Sequence, residues 1–438
     1  MKKLVALLLS VMMLLSLVAC GDDSTSETPE GGGTEQETPE TPTDGTPIKI
    51  GHLTYHTGPF GHVGPQFDAA ANFALDIINE APPLGGEVSI VHQDLGTIGE
   101  GQAARKLVDS ENVDILLNVA GEYMSYRDWL LGVLKNDSSL LLPSVHAGAI
   151  DASIGGVVEE PIFRGSPMDT DQGLAAAIRA SDAGAKSVVV IAVENDGMQL
   201  QQASAVAGCE ALGLEVLEEI DIEPEQTSYR SVVTRVQALN PDALIVFAAA
   251  EDGGTVVKNA AEVGMSAVII GPTDWLFVEF PNTATMSAIN QHQVVEAVGF
   301  TYAEGPAWDF YKEAWESSEY ADITEASNSY NLQYYDLLNV TMLAIKKAGS
   351  LETADWVEAM YDVAMGPGTK VYTYAEGVAA LERGEDIDYD GVTGEFNYTD
   401  SGVVGGLCGV FTWTDTETLE RTDLIDGQTI LDVSAKIG

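Results

Sequence analysis

Histidines are crowded into the first third of the chain. His52, His56 and His62 fall within eleven residues, and His92 and His146 follow. Imidazoles grouped in this way invite a zinc reading, because neutral imidazole nitrogen is a common zinc ligand. His52, however, sits in an apolar run that reads as a strand, whereas His56 and His62 sit in the loop after it. All three cannot easily converge, and H-E-x-x-H is absent. No metal and no cofactor is expected. Thr57-Gly58-Pro59, with Gly61 and Gly64, is glycine-rich between a strand and a helix. It lacks the G-x-G-x-x-G order and a following Lys-Ser/Thr pair, so it reads as a turn that lets backbone approach a ligand. No G-x-S-x-G elbow is present, and the chain is not expected to be an enzyme.

Those residues matter only if the fold brings them to one place, and the hydrophobic period says how. Ile48–Thr54, Glu87–His92, Val113–Asn118 and Ser139–Leu142 read as strands with helical spacing between them. The rhythm restarts in Ser187–Val193, Leu214–Ile220, Ala243–Ala248 and Ala267–Ile270. Short strands return at Lys370–Tyr374, Glu395–Tyr398 and Gly409–Thr414. Strands separated by helices imply parallel sheets covered on both faces, and two runs predict two doubly wound α/β lobes. Ligands of such sheets sit beyond the carboxyl ends of strands. That rule selects the loops Tyr55–Gly64, Asp94–Gly96, Ala120–Ser125, Pro143–Gly148, Glu194–Met198, Ala249–Gly253 and Gly271–Trp275. The string Phe163-Arg164 through Asp171-Gln172-Gly173 reads as a strand end and a helix start with Asp169 or Asp171 as N-cap. It marks the passage between the two runs.

Upstream of Ile48 the composition is different. Lys2 and Lys3 precede an apolar run from Leu4 to Val18, which has the form of an export signal and is short for a membrane span. Gly21–Pro47 holds no aromatic and no aliphatic side chain, so it cannot bury enough apolar surface to offset its ordering entropy. The expected plan is a signal over 1–19, a disordered acidic tether over 20–47, and a fold from Ile48. The chain has 68 acids against 20 lysines and arginines, a formal net charge of −48. Such a balance argues against nucleic acid and anionic lipid surfaces as partners. Salt outside the cell would screen it. A saline habitat and a merely acidic extracellular protein are both open. Beyond Cys20 there are only Cys209 and Cys408, with no C-x-x-C spacing; they read as separately buried thiols, with pairing left open.

Leu17-Val18-Ala19-Cys20 resembles the lipobox of bacterial lipoproteins, which implies cleavage before Cys20 and lipidation of its sulfur. Ile48–Asn79, with its Thr-Gly-Pro turn, resembles the opening of the branched-chain amino acid binding proteins of ABC importers. The 163–173 string is similar to that family's first lobe crossing. Val188–Gly213, Asp242–Gly264, Gly271-Pro272, Ala344–Gly349 and Gly391–Gly394 match in order. The resemblance implies the type I periplasmic binding fold, two Rossmann-like lobes joined by a three-strand hinge. Lobe 1 is expected at 48–166 and 300–400, and lobe 2 at 167–299 and 401–438.

The family's ligand contacts carry over in part. This chain has Gly121-Glu122-Tyr123 and Ser144-Val145-His146 where the family often has small residues with a serine, and Ala-Ala-Thr. The second-lobe aromatic position falls on Asp196, and the acid that receives an ammonium falls near Thr273-Asp274. The expected ligand-binding residues are His62, Glu122, Tyr123, Ser144, His146, Asp196, Ala249, Thr273 and Asp274. Ser144, His146 and backbone amides are on offer for a carboxylate, and Glu122, Asp196 or Asp274 for an ammonium. No arginine is placed to clamp a carboxylate. The resemblance implies a lipid-anchored, monomeric binding protein on the outer face of the cytoplasmic membrane. It would close over an amino acid of branched-chain type, or a related amide, and meet an ABC permease. The alternatives are a ligand-sensing receptor domain of the same fold and a secreted hydrolase.

Overall fold

A computed structural model describes residues 45–58 and 61–437. Cys20, the signal at 1–19 and nearly all of the tether lie outside the described residues. The first sheet is built from β1 (Thr46–Thr54), β2 (Gly85–Asp94) and β3 (Ile115–Leu117), in the order β2-β1-β3 and all parallel. β4 (Leu142–Ser144) runs beside β3, since the Leu116 and Asn118 N–H groups donate to Leu141 and Pro143 carbonyls, and it pairs with β5 (Ile162–Arg164). Helix Gly64–Ile78 and the long helix Ser329–Ala348 pack on this sheet. Phe67, Phe73, Ile115, Leu338 and Met342 are among the buried side chains of a cluster drawn from residues 48–163 and 307–404.

The second sheet begins with β6 (Ser187–Val193), β7 (Glu215–Ile222), β8 (Ala243–Phe247), β9 (Val268–Gly271) and β10 (Val294–Phe300), again parallel. Three short strands, β11 (Thr369–Val371), β12 (Ile387–Gly391) and β13 (Gly394–Glu395), form a separate patch. β14 (Cys408–Trp413) and β15 (Leu419–Ile425) then return antiparallel, so the seven-stranded order is β15-β14-β10-β9-β8-β6-β7. β8 is buried throughout its five residues, as expected of a parallel strand covered on both faces. Cys209 and Cys408 are free thiols, both buried in the apolar cluster on one face of this sheet.

Some elements depart from the sequence reading. The strand expected at Ser139–Leu142 lies at Leu142–Ser144 and includes Pro143. Proline lacks an N–H, but its carbonyl still accepts from Asn118 at 3.0 Å. Tyr374 opens a helix, Tyr374–Glu382, because the Thr373 hydroxyl accepts from the Glu376 N–H at 3.2 Å. Of the strand expected at Glu395–Tyr398 only Glu395 is paired, in the two-residue strand Gly394–Glu395.

The chain passes between the two sheets after β5, after β10 and before β14. These passages are tied together: Arg164 N–H donates to Gly402 at 2.9 Å, and Thr301 N–H to Leu407 at 3.2 Å. The Arg164 side chain is fully buried and donates to five carbonyls, those of Ala147, Ile150, Asp151, Ile154 and Ser401. Among the described residues, no helix is long and apolar enough to cross a membrane.

Candidate functional site

A cavity of about 150 Å³ opens where the carboxyl ends of the two sheets face each other. One wall comes from the first lobe. Val145 and His146 follow β4, Gly148 and Ala149 lie in the next turn, and Ser329, Tyr330 and Gln333 occupy the start of helix Ser329–Ala348. The other wall comes from Asp169 and Gln172 on helix Asp169–Asp182, Gln201, and Thr273 and Asp274 after β9. Ser166, Pro167 and Phe300 belong to the passages between lobes. This is the place the strand-end rule predicts.

Internal hydrogen bonds position several of these groups. The Thr273 hydroxyl donates to Gln172 Oε1 at 2.7 Å, and Gln172 Nε2 donates to the Val298 carbonyl. Thus the loop after β9, the first turn of helix Asp169–Asp182 and β10 are locked to one another. The Asp171 carboxylate accepts from the Met168 N–H at 3.4 Å, so Asp171 closes the helix start while Asp169 is left free of capping. The N-cap itself is Met168, one residue before the expected position. His146 packs against Phe67 and Tyr330, with ring centroids 4.8 and 5.7 Å away, and its Nε2 meets the Tyr334 hydroxyl at 3.0 Å.

The electrostatics of the cavity are one-sided. Asp169 and Asp274 are both pushed up to about 6, Asp169 by burial and Asp274 by burial and then by the charge of Asp169. Burial, followed by the Asp274 and Asp169 charges, raises the Tyr330 phenol. His146 is held down at about 3, first by burial, and is a neutral imidazole at neutral pH. No lysine or arginine lines the cavity, and no ion pair among the described residues involves Asp169 or Asp274. Gln201 Oε1 is a buried acceptor with no hydrogen-bond partner. The cavity therefore offers two carboxylates, an unpaired amide oxygen and aromatic faces to something that brings positive charge and N–H groups.

Of the residues expected from sequence, His146, Thr273 and Asp274 line this cavity. Glu122, Tyr123, Ser144, Asp196, Ala249 and His62 are not among its lining residues, and most have other partners or places. Glu122 Oε2 accepts from the Glu100 N–H at 3.1 Å while the Glu122 N–H donates to Glu100 at 3.0 Å. Tyr123 donates to Glu160 at 2.5 Å, and Ser144 donates to the Val119 carbonyl at 2.7 Å. Asp196 is exposed at the first position of helix Asp196–Ala211, Ala249 caps helix Ala250–Glu262, and His62 is exposed. Asp169, Gln201, Tyr330 and Gln333 were not anticipated as cavity residues. A Cβ on Gly148 would stand 2.9 Å from Asp169 Oδ1, and one on Gly197 2.8 Å from Oδ2, so two glycines leave room for that carboxylate.

The fold has counterparts among known proteins. No curated protein matches this chain in sequence. Among solved structures, the leucine-binding protein LivK of Thermotoga maritima superposes with a TM-score of 0.69 at 16% identity, covering 87% of this chain and 99% of that one. The branched-chain amino acid transporter substrate-binding protein LivJ of Streptococcus pneumoniae, in complex with isoleucine, gives 0.67 at 17%, covering 87% and 100%. A solute-binding protein of an ABC transporter from Rhodopseudomonas palustris HaA2, in complex with p-hydroxybenzoic acid, gives 0.67 at 14%, covering 89% and 100%. At such identities the likeness is one of fold, that of the type I periplasmic binding proteins. The family described as periplasmic binding protein matches residues 47–380, most of the chain, and it is to this family that the protein belongs.

Proposed function

We propose that the protein is the extracytoplasmic solute-binding component of an ABC importer, and that its ligand is a small molecule bearing an ammonium group, an amino acid or related amide. The observation that carries the reading is the pair Asp169 and Asp274, which share one cavity with no lysine or arginine in its lining. An ammonium group could donate hydrogen bonds to both and offset one of their two charges, and Tyr330 and Phe300 supply faces for it or for an apolar side chain. An aromatic carboxylate, as bound by the Rhodopseudomonas palustris protein, would meet like charge here. Anchoring through Cys20 is supported by the Leu-Val-Ala-Cys string and the acidic tether after it. Binding would proceed by closure of lobe 1 (48–166 and 300–400) on lobe 2 (167–299 and 401–438), with a permease as the partner that receives the closed form.

The test is a thermal-shift screen of amino acids, amides, polyamines and aromatic acids, followed by titration calorimetry of the hits on Asp169→Asn and Asp274→Asn. A ligand that binds only the folded chain raises its midpoint. Loss of a buried carboxylate partner should cost about 3–5 kcal/mol, or two to four decades in affinity. Hits confined to aromatic acids, or variants that bind an ammonium ligand as the parent does, would end this reading.

A further inference from the structure

A second constellation lies behind the ligand cavity. β1 and β2 pair in register with His52 opposite His92, so the two imidazoles leave the sheet side by side. Their Nδ1 atoms are 2.9 Å apart. Asp68, from the first turns of helix Gly64–Ile78, places Oδ1 at 3.5 Å from His52 Nδ1 and 3.1 Å from His92 Nδ1. His56 closes the outer side, with Nε2 at 2.9 Å from Asp68 Oδ2. His52 is fully buried, Asp68 and His92 are partly so, and only His56 is exposed.

Hydrogen bonding alone satisfies this arrangement poorly. Two Nδ1 atoms at that distance can share one proton, since two N–H groups would collide. Asp68 Oδ1 is buried and takes no hydrogen bond of good geometry, although both imidazoles are close to it. Three lone pairs thus converge on one point with at most one proton among them. A cation satisfies all three. Zinc bonds of about 2.0–2.2 Å to nitrogen and oxygen imply tetrahedral edges of roughly 3.3–3.6 Å; the separations here are 2.9, 3.1 and 3.5 Å, so the two shorter ones need only spread by a few tenths of an ångström. Two imidazoles and a carboxylate suit a borderline transition-metal ion rather than calcium or magnesium, which prefer oxygen.

We propose that His52 Nδ1, His92 Nδ1 and Asp68 bind a zinc-type divalent ion, with water in the fourth position and His56 holding the outer oxygen of Asp68. The site stands whatever the cavity ligand proves to be. It also connects to that cavity. When His52 Nδ1 faces a metal, its proton lies on Nε2, which is 2.7 Å from the Tyr334 hydroxyl. Asn118 Nδ2 donates to the same hydroxyl, so Tyr334 must send its own proton to His146 Nε2, 3.0 Å away. The ion therefore fixes His146, a cavity-lining residue, as the Nδ1–H tautomer. His92 Nε2 has no comparable partner, so the outer support of the site rests on Tyr334.

The experiment uses the full chain stripped with a chelator and titrated with Zn²⁺ and Co²⁺. One equivalent should bind, with the visible d–d absorption of four-coordinate Co²⁺. His92→Gln and Asp68→Asn should each lower zinc affinity at least a hundredfold, and Tyr334→Phe about 10- to 100-fold. His62→Ala, at an exposed histidine outside the group, should bind as the parent. Circular dichroism on each variant, together with the parent titration, keeps loss of fold apart from loss of ligand. No stoichiometric binding by the parent, or unchanged binding by folded His92→Gln and Asp68→Asn, overturns the proposal. So does abolition by His62→Ala.

Discussion

Asp169 and Asp274 determine how the protein should answer to pH. An ordinary aspartate titrates near 3.8, whereas burial brings both of these to about 6 in the folded chain. Between those values the folded state holds more protons than the unfolded one. These two groups therefore lose the chain stability as pH rises through that window. Ammonium binding runs the other way, because it favours the charged carboxylates: affinity should climb as pH rises to about 6 and then level. Calorimetry across the window on the parent and Asp274→Asn checks this, and a flat parent profile would contradict it. Asp274, Thr273 and His146 were legible in sequence because each follows a strand end. Asp169 was read only as a helix cap, and Tyr330 and Gln333 were not read at all. Their entry into the cavity depends on a helix more than a hundred residues further on, which no local pattern reports.

At the scale of elements, alternation made the parallel strands legible, but the return strand β15 and the helix Gly427–Ile437 were not anticipated. The half-exposed pattern of β15 is weak beside the fully buried runs. The passage after β5 was legible as a string, while the reason for its arginine was not. Arg164 holds the turn at Ala147–Ala149, the Asp151–Ile154 segment and the turn at Ser401 through one guanidinium. Burial brings it down to about 10 against the opposing pull of the Asp151 and Glu160 charges, so it stays charged at neutral pH with five carbonyls as its hydrogen-bond partners. Arg164→Met would leave several buried carbonyls without donors. We expect a loss of about 3–5 kcal/mol in chemical denaturation. Arg164→Lys should recover little, since an ammonium offers three donors on a point rather than a planar fork. An Arg164→Met midpoint equal to the parent's would show that the hub is dispensable.

For the molecule as a whole, the proposed function rests on the cavity having two owners. His146, Tyr330 and Gln333 come from one lobe, and Asp169, Thr273 and Asp274 from the other. A ligand that touches both sets gains its full contact energy only when they are near each other, so it draws the population toward the closed form. Moving that balance from about one part in a hundred to its inverse needs a differential affinity of roughly 10⁴-fold, about 5.5 kcal/mol. A buried ammonium held by two carboxylates can supply much of that. The passages between lobes are tied to one another by hydrogen bonds such as Arg164 to Gly402 and Thr301 to Leu407, which favours rotation as rigid bodies over local unfolding. Small-angle scattering should therefore show a smaller radius of gyration at saturating ligand. Asp274→Asn at the same ligand concentration should keep the open profile, while exposed Asp196→Asn should contract like the parent. An unchanged radius with binding proven by calorimetry would mean that the ligand enters a cleft already closed, and the hinge mechanism would fail.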